Sequence, residues 1–373
     1  MFKSVIGRAA DYLSREGIMG AGGHAGLPDI ERSTSAGRME KRRKYAAKFE
    51  AKLRKYGLNP QEYASLLSAE MFPDKKDIYD TRSFPVSHFL TDLEREMTHT
   101  INGSYRVLLR DKYLSYQLLS GYVRVPSILL LAMDGHVEFR SPAYNRLVNA
   151  LSGEASVFIK PIKSAGGKGA SSTVVRGGHV STPDGEVPFG AYLDALIREH
   201  GDLMVSETLR QSRFMQDLYP HSINTVRLVT ARSPSTREVF AAHGVVRVGN
   251  DLSRPVDNYS SGGFSYALDI ASGEIGSGRN KAGIGPIPHH IDAPENRIAG
   301  RTLPDFDRIV KTALDAHRAL PYINYVGWDL CIADDGITVV EANNTSDVDL
   351  LQMHRPLLTD PRMVEFYRHH DIL

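Results

Sequence analysis

Apolar and polar positions alternate differently along successive stretches of this chain, and the changes of period outline its elements. From residue 39 to 57 the apolar positions Tyr45, Phe49, Leu53 and Tyr56 recur at helical spacing in a background dense in Lys and Arg. That predicts an amphipathic helix ended by Gly57 and Pro60. A second helix is expected from about Pro60 to Met71, and a third from Val86 to Met97. After Arg106 the pattern becomes mixed. Asp111–Leu119 reads as a helix. Val123–Pro126 leads into a strand over Ser127–Ala132. Val157–Pro161 is a buried-type strand stopped by proline, and Leu203–Glu207 is another short strand. Ile223–Ala231 and Val239–Val248 are strongly β, and their separation suggests a hairpin. Leu303–Leu320 carries Phe306, Ile309, Val310, Ala313 and Leu314 on one helical face. Gly and Ser cluster at 260–263 and 273–285, which marks loops. No internal repeat is visible.

The most informative pattern lies near the end. Gly327–Ile332 and Val339–Asn344 read as two strands joined by a tight turn at Asp334–Gly336. With a three-residue loop the pairs run Ala333/Ile337, Cys331/Val339 and Asp329/Glu341. Side chains alternate faces in a strand, so Asp329 and Glu341 stand opposite each other, with Asn343 further along the same face. Opposed carboxylates repel unless a cation lies between them or one is protonated. Two acids and an amide oxygen suit a hard cation such as Mg²⁺, which also keeps water and phosphate oxygens as ligands. The alternative is an exposed hairpin with solvated acids.

Composition narrows the classes. The 373 residues are 42% hydrophobic and 24% charged, values of an ordinary globular protein with enough chain for a sizeable core. The length predicts about two domains or one large multi-lobed domain. A net charge of +1 gives no global argument for nucleic acid or membrane. The basic helix could touch nucleic acid or acidic lipid, but a surface helix docked by its aromatic stripe is the favoured reading, so a nucleic-acid role is not expected. The single cysteine, Cys331, excludes an intramolecular disulfide framework and a multi-cysteine zinc site. No apolar run reaches transmembrane length and the N-terminus has no signal-type apolar region, so the expected location is cytoplasmic. Residues 1–38, with Gly20–Gly23, read as a short helix followed by a poorly ordered segment.

Three further features carry chemistry. Lys160 ends an apolar strand, where a buried ammonium needs a partner such as a nucleotide phosphate, unless it snorkels to the surface. Ser164–Ser172 follows, with Gly166, Gly167, Lys168 and Gly169 at its centre. Such a loop lets backbone N–H groups approach an anion, although its spacing is not that of a Walker loop. Arg227 shares a strand face with Thr225, and its guanidinium suits a phosphate or carboxylate or, alternatively, a structural salt bridge. The pair His289-His290 points two ways from adjacent positions and reads as surface or substrate-side polar, not metal. His243 and Arg247 share a face of their strand.

These residues, in order, resemble the ATP-grasp superfamily, and more closely its sugar-transfer-associated branch, itself similar to α-L-glutamate-ligase-like proteins. The matching elements are Asp111-Lys112, Phe158–Pro161, Gly166–Gly169, Val205–Glu207, Asn224–Arg227, Asp257–Gly263, Gly327–Asp329 and Glu341–Asn343. They cover roughly residues 100 to 360. The resemblance implies an α+β ATP-grasp fold, two α+β subdomains clasping ATP, behind a mainly helical N-terminal region. The expected divisions are 1–100, 101–206 for the lid and first subdomain, and 207–373 for the subdomain with the metal site. Lys112 and Lys160 would contact phosphates, Gly166–Gly169 would form the lid, and Glu207 would lie at the adenine and ribose hinge. Asp329, Glu341 and Asn343 would hold one or two Mg²⁺ ions, or Mn²⁺. Arg227, with Lys160 and Asn343, would act on the transferring phosphoryl group. Asn258, Ser260, Ser261, Gly262 and Gly263 would face the substrate, and Gln352–Arg355 could reach the acceptor. Asn344–Asp349 reads most simply as a solvated loop. The implied reaction is ligation of a carboxylate to an amine through an acyl phosphate, on a small molecule, peptide or sugar-linked substrate. A kinase acting on a hydroxyl and a non-catalytic nucleotide-binding protein are the alternatives, and a homodimer is compatible with the chain.

Overall fold

A computed structural model describes residues 30–32, 36–133, 136–139, 153–164, 167–280 and 298–373. The pair His289-His290, Gly166 and the segment before residue 30 lie outside the described residues.

Two antiparallel sheets organise the chain. The first has seven strands: β1 (Ile128–Met133), β2 (His136–Phe139), β3 (Glu154–Pro161), β4 (Ser171–Arg176), β5 (His179–Thr182), β6 (Gly185–Pro188) and β7 (Leu203–Glu207), in the order β2-β1-β7-β3-β4-β5-β6. The second has six: β8 (Thr225–Arg232), β9 (Val239–Val248), β10 (Phe264–Leu268), β11 (Ile275–Arg279), β12 (Tyr325–Ala333) and β13 (Gly336–Asn343), in the order β11-β10-β9-β8-β12-β13. Every residue of β8 and β12 is buried, because these strands are central and covered on both faces.

Alternation along the central strands separates two environments. Val226, Leu228, Trp328, Leu330 and Ile332 face the helix Phe306–Arg318 and form one core with Ile309, Ala313 and Ala316. Within it the Trp328 indole donates to Thr230 Oγ1 at 2.7 Å, so the only tryptophan is satisfied as well as buried. The opposite face of the same strands carries Val229, Ala231, Val245 and Tyr325, which pack with the N-terminal segment and the C-terminal helix Pro361–His369. Further along that face the residues become Thr225, Arg227, Arg247 and Asp329. The site is therefore the charged continuation of a face whose apolar half is covered.

The predicted helix at 39–57 is observed as Ala36–Tyr56. Tyr45, Phe49 and Leu53 are buried, whereas Tyr56 stays exposed. Its basic side chains are tied down: Arg38 bonds Glu70 and Glu94, and Arg42, Lys48 and Lys52 pair with Glu70, Glu96 and Asp74. The other two N-terminal helices are shorter than expected. Pro60–Met71 holds only a 3-10 turn, Pro60–Tyr63, and Ala64–Ser68. Val86–Met97 breaks at Thr91, whose hydroxyl caps the helix Asp92–Met97 in a reciprocal capping box with Glu94.

The closing hairpin corrects the expected register. Ala333 pairs with Gly336, Cys331 with Thr338 and Leu330 with Val339, so the turn has two residues, Asp334 and Asp335. A bulge then absorbs one residue of β13, and Asp329 pairs with Glu341 after all. The anticipated pairs Ala333/Ile337 and Cys331/Val339 are off by one, while the pair that matters for chemistry is correct.

Candidate functional site

The two sheets face each other across a cavity of about 410 Å³. Its wall takes side chains from both sheets, from the helix Lys112–Leu119 and from the N-terminal segment.

Lys160 and Phe158 share one face of β3, opposite Val157 and Ile159, which pack beneath the helix Phe189–His200. Lys160 is 7% exposed, and its ammonium donates to the Tyr116 hydroxyl at 2.7 Å while lying 4.7 Å from that ring's centre. Tyr116 passes the chain on to the Val340 carbonyl at 2.6 Å. Among the described residues no carboxylate lies within ion-pair distance of Lys160. Burial lowers its pKa, and Glu341 and Asp329 oppose that only in part. Lys112 sits beside it at the start of a helix capped by Asp111, bonded to the Ser164 carbonyl and 3.6 Å from Glu341. Burial lowers the Lys112 pKa too, with Lys160 adding to the effect and Glu341 opposing it. Two depressed ammonium groups on one wall make a place for an anion.

The floor is a ladder of alternating charge. Arg227 holds Asp329 in a fork, Nε to Oδ1 at 2.5 Å and Nη2 to Oδ2 at 2.9 Å. Arg247 bonds the same carboxylate at 3.0 Å and Asp257 at 2.7 Å. Asp257 also accepts from the Thr225 hydroxyl. Burial pushes the Asp329 carboxyl up, but the two guanidinium groups outweigh it and hold it at about 2. Burial raises the Asp257 pKa against the pull of Arg247. Arg247 Nε is buried without a hydrogen-bond partner, which leaves one donor of this ladder uncommitted. The cationic partners anticipated for the opposed acids are thus Arg227 and Arg247 for Asp329, and Lys112 for Glu341.

The donor set fits a hard cation at one place and not at another. Glu341 and Asn343 line the cavity, partly exposed, with oxygens suited to Mg²⁺. Asp329 gives both oxygens to arginines and is 4% exposed, so the third expected ligand is committed elsewhere in this arrangement. Among the described residues no cluster of three or more His, Cys, Asp or Glu could hold a metal by itself. A cation here would depend on phosphate oxygens and water.

Other expected residues divide. Glu207 lines the cavity with Ser206, Thr208 and Leu209 at the end of β7, and Asn258 and Ser260 line it too. Gly167 reaches the wall with φ of +71°, and an added Cβ would meet Val256 Cγ2 at 3.1 Å, so the loop closes tightly on the other sheet's connections. Lys168 is exposed and off the wall; Gly169, half-buried, is off it too, and an added Cβ there would stand 2.9 Å from Pro161. Ser261, Gly262 and Gly263 also lie off the wall. There an added Cβ on Gly263 would meet the Asp257 carbonyl at 2.7 Å, a close backbone approach that accounts for that glycine.

Two expectations about the chain after β13 are overturned. Gln352 does not reach the cavity. Its amide is consumed by Leu90 N, Leu90 O and the Tyr79 hydroxyl, and His354 bonds Ser265. Residues 344–349 are not a solvated loop either. Asp349 is buried against Lys75 at 2.7 Å and accepts from Tyr79 at 2.8 Å, while Asp347 and Ser346 line the cavity. His243 is held under the Leu357 carbonyl, away from Arg247's role.

Sequence reasoning gave no site role to several charged wall residues. Asp257 stands inside a quoted motif, and Arg247 shares a strand face with His243, so both left a trace. Arg95 and His99 left none: they come from the N-terminal segment that no motif covered.

The profile of a family described as sugar-transfer associated ATP-grasp matches residues 93–363. No curated protein matches the sequence. Solved structures that do include a D-alanine–D-alanine ligase from Bacillus anthracis, with a TM-score of 0.33 and 12% identity over 64% of this chain and 56% of that one. An N5-carboxyaminoimidazole ribonucleotide synthetase from Thermotoga maritima gives 0.34 and 12% over 68% and 49%. An L-amino acid ligase from Bacillus licheniformis gives 0.35 and 11% over 65% and 42%. The chain spans about half the length of these structures. No helix among the described residues is long and apolar enough to cross a membrane.

Proposed function

The chain belongs to the sugar-transfer associated ATP-grasp family and has the ATP-grasp fold, and from that premise we propose that it joins a carboxylate to an amine at the cost of ATP. The observation that carries the nucleotide half of this reading is Lys160. Its ammonium is buried on a cavity wall against a hydroxyl, with no carboxylate within ion-pair distance among the described residues. A phosphate chain supplies the missing charge. Lys112 beside it contributes a second point charge. Phe158 and the segment Ser206–Leu209 supply the apolar and backbone surface that a nucleobase needs, with Glu207 at that edge.

In the first step a substrate carboxylate oxygen attacks the γ-phosphorus of ATP. The bond from that phosphorus to the β–γ bridging oxygen breaks and ADP leaves. In the second step an amine nitrogen attacks the acyl carbon, the bond to the phosphate oxygen breaks, and inorganic phosphate leaves as the nitrogen loses a proton. The chain's part is positioning and charge neutralisation, and no side-chain nucleophile is needed. Lys160 and Lys112 hold the phosphates. Arg227 and Arg247 place positive charge beside the carboxylate being activated. Glu341 and Asn343 would hold a magnesium ion, which neutralises phosphate charge and polarises the reacting phosphoryl group. The loop around Gly167 excludes water from the acyl phosphate.

A coupled ADP-release screen over carboxylates, with and without amines, tests the reading. ADP release that needs both is the expected result. ADP release with an alcohol and a stable phosphorylated product would replace ligation by a kinase reaction, and AMP release would contradict both. Glu341→Ala should reduce turnover to background while its circular dichroism spectrum and melting temperature stay those of the wild type; turnover near wild type would sink the site.

A further inference from the structure

Arg95 stands on the helix Asp92–Met97 and His99 on the 3-10 turn Thr98–Thr100 that continues it, and both line the cavity. Neither is used by the nucleotide or metal groups above. The helix is rigidly held. Its Glu94 is fully buried, closes the capping box with Thr91, and accepts from Arg32 at 2.7 Å and Arg38 at 2.9 Å. The segment is also stapled to the six-stranded sheet: the Asn102 amide donates to the Tyr325 carbonyl at 2.8 Å and to Asn344 at 2.9 Å, and Asn344 donates to the His99 carbonyl at 3.4 Å.

Despite that anchoring, the Arg95 guanidinium makes no hydrogen bond and no ion pair among the described residues. Asp347 shares the cavity wall and attracts Arg95, as do Asp349 and Asp92, but none pairs with it. Asp349 and Asp92 are taken by Lys75. Among the described residues the exposed His99 has no side-chain partner either; partial desolvation lowers its pKa, and Arg95 and Arg110 lower it further. A half-buried, preorganised guanidinium with its donors unspent is the usual anchor for a planar or tetrahedral anion.

We propose that Arg95 and His99 form an anion subsite for the second substrate, which therefore carries a carboxylate or phosphate group apart from its reacting atom. The proposal rests on the nucleotide occupying the Lys160 side of the cavity. It gives the N-terminal segment a part in substrate choice, in addition to packing.

The test uses the full chain saturated with Mg²⁺ and AMP-PNP, so that the lysines are occupied. Calorimetric titration with glutarate, with butyrate as its single-carboxylate control, and separately with inorganic phosphate reads the subsite. At least one of glutarate and phosphate should bind, and butyrate should bind more weakly. Arg95→Met should weaken the bound probe at least tenfold, and Arg95→Lys should restore part of the loss, with AMP-PNP affinity unchanged in both. Equal binding by wild type and Arg95→Met, or no binding of either probe to the loaded wild type, would overturn the subsite while leaving the nucleotide reading standing. Failure of AMP-PNP itself to bind the wild type would overturn the nucleotide reading, and the subsite with it.

Discussion

Lys75 and Lys160 are both buried lysines, 2% and 7% exposed, and they have opposite surroundings. Lys75 lies among Asp349 at 2.7 Å, Asp92 at 3.3 Å and Asp74 at 3.4 Å. Burial alone would lower its pKa, but the three aspartates outweigh burial and raise it. Lys160 has a tyrosine hydroxyl and the face of the same ring, and burial lowers its pKa. The difference separates charge used to hold the chain together from charge kept for a ligand. Lys75 ties the N-terminal segment to Asp349, the first residue of the short helix Asp349–Gln352, 274 residues away. Lys160 ties nothing of opposite charge and borders open space.

Removing the satisfied lysine should give the largest effect. Lys75→Met leaves two buried carboxylates, Asp92 and Asp349, and the half-buried Asp74 without their shared cation, and breaking one side of a buried ion cluster costs about 3–5 kcal/mol. Urea denaturation at neutral pH should show a loss of that size, along with weakened packing between the N-terminal segment and the six-stranded sheet. A loss below about 1 kcal/mol, the range of exposed pairs, would mean that Lys75 does not organise this contact.

Lys160→Met should behave in the reverse way. The ammonium has no buried counter-ion to abandon, and the Tyr116 hydroxyl keeps the Val340 carbonyl as its acceptor. Stability should shift by less than about 1 kcal/mol. AMP-PNP affinity should fall about tenfold, which is about 1.4 kcal/mol. If instead Lys160→Met destabilised the fold as much as Lys75→Met and left AMP-PNP binding intact, the contrast between the two lysines would collapse.

How far each of these was legible in the sequence follows from how local its cause is. Lys160 could be read because one strand pattern, apolar and then Lys-Pro, puts an ammonium where it needs an anion. Asp329 and Glu341 could be paired because alternation has a period of two, and a shorter turn followed by a one-residue bulge restores the pairing that a longer turn gives. The guanidinium groups that occupy Asp329 could not be read as its partners. Arg227 and Arg247 reach it from β8 and β9, 102 and 82 residues upstream, and only the strand order of the sheet brings them together. Asp349 looked solvated for the same reason, since Lys75 lies at the other end of the chain. Arg95 and His99 are the extreme case. The sequence predicts a helix over Val86–Met97, but nothing local says that its end and the turn after it face the cavity: that position is set by Glu94 and Asn102, contacts with residues far away in sequence.

The smallest predicted effect sharpens the comparison through protons. A lysine whose folded pKa is lowered binds its proton less tightly than in the unfolded chain, so in the alkaline window below its ordinary value of 10.5 the folded state rejects a proton that the unfolded state keeps. The Lys160 contribution to stability therefore rises as pH climbs through that window. Lys75, with its pKa raised, contributes stability that is fully present below 10.5 and is lost only as pH rises beyond it. A phosphate chain arriving beside Lys160 favours the charged form and draws the proton back. AMP-PNP binding near pH 9 should then take up a fraction of a proton. Calorimetry in buffers of different ionisation enthalpy reads this directly: the observed heat should depend on the buffer for the wild type and for Lys75→Arg, and clearly less for Lys160→Met, where only Lys112 is left to take up a proton. Equal buffer dependence in the wild type and Lys160→Met would place the proton on another group and remove Lys160 from the phosphate contact.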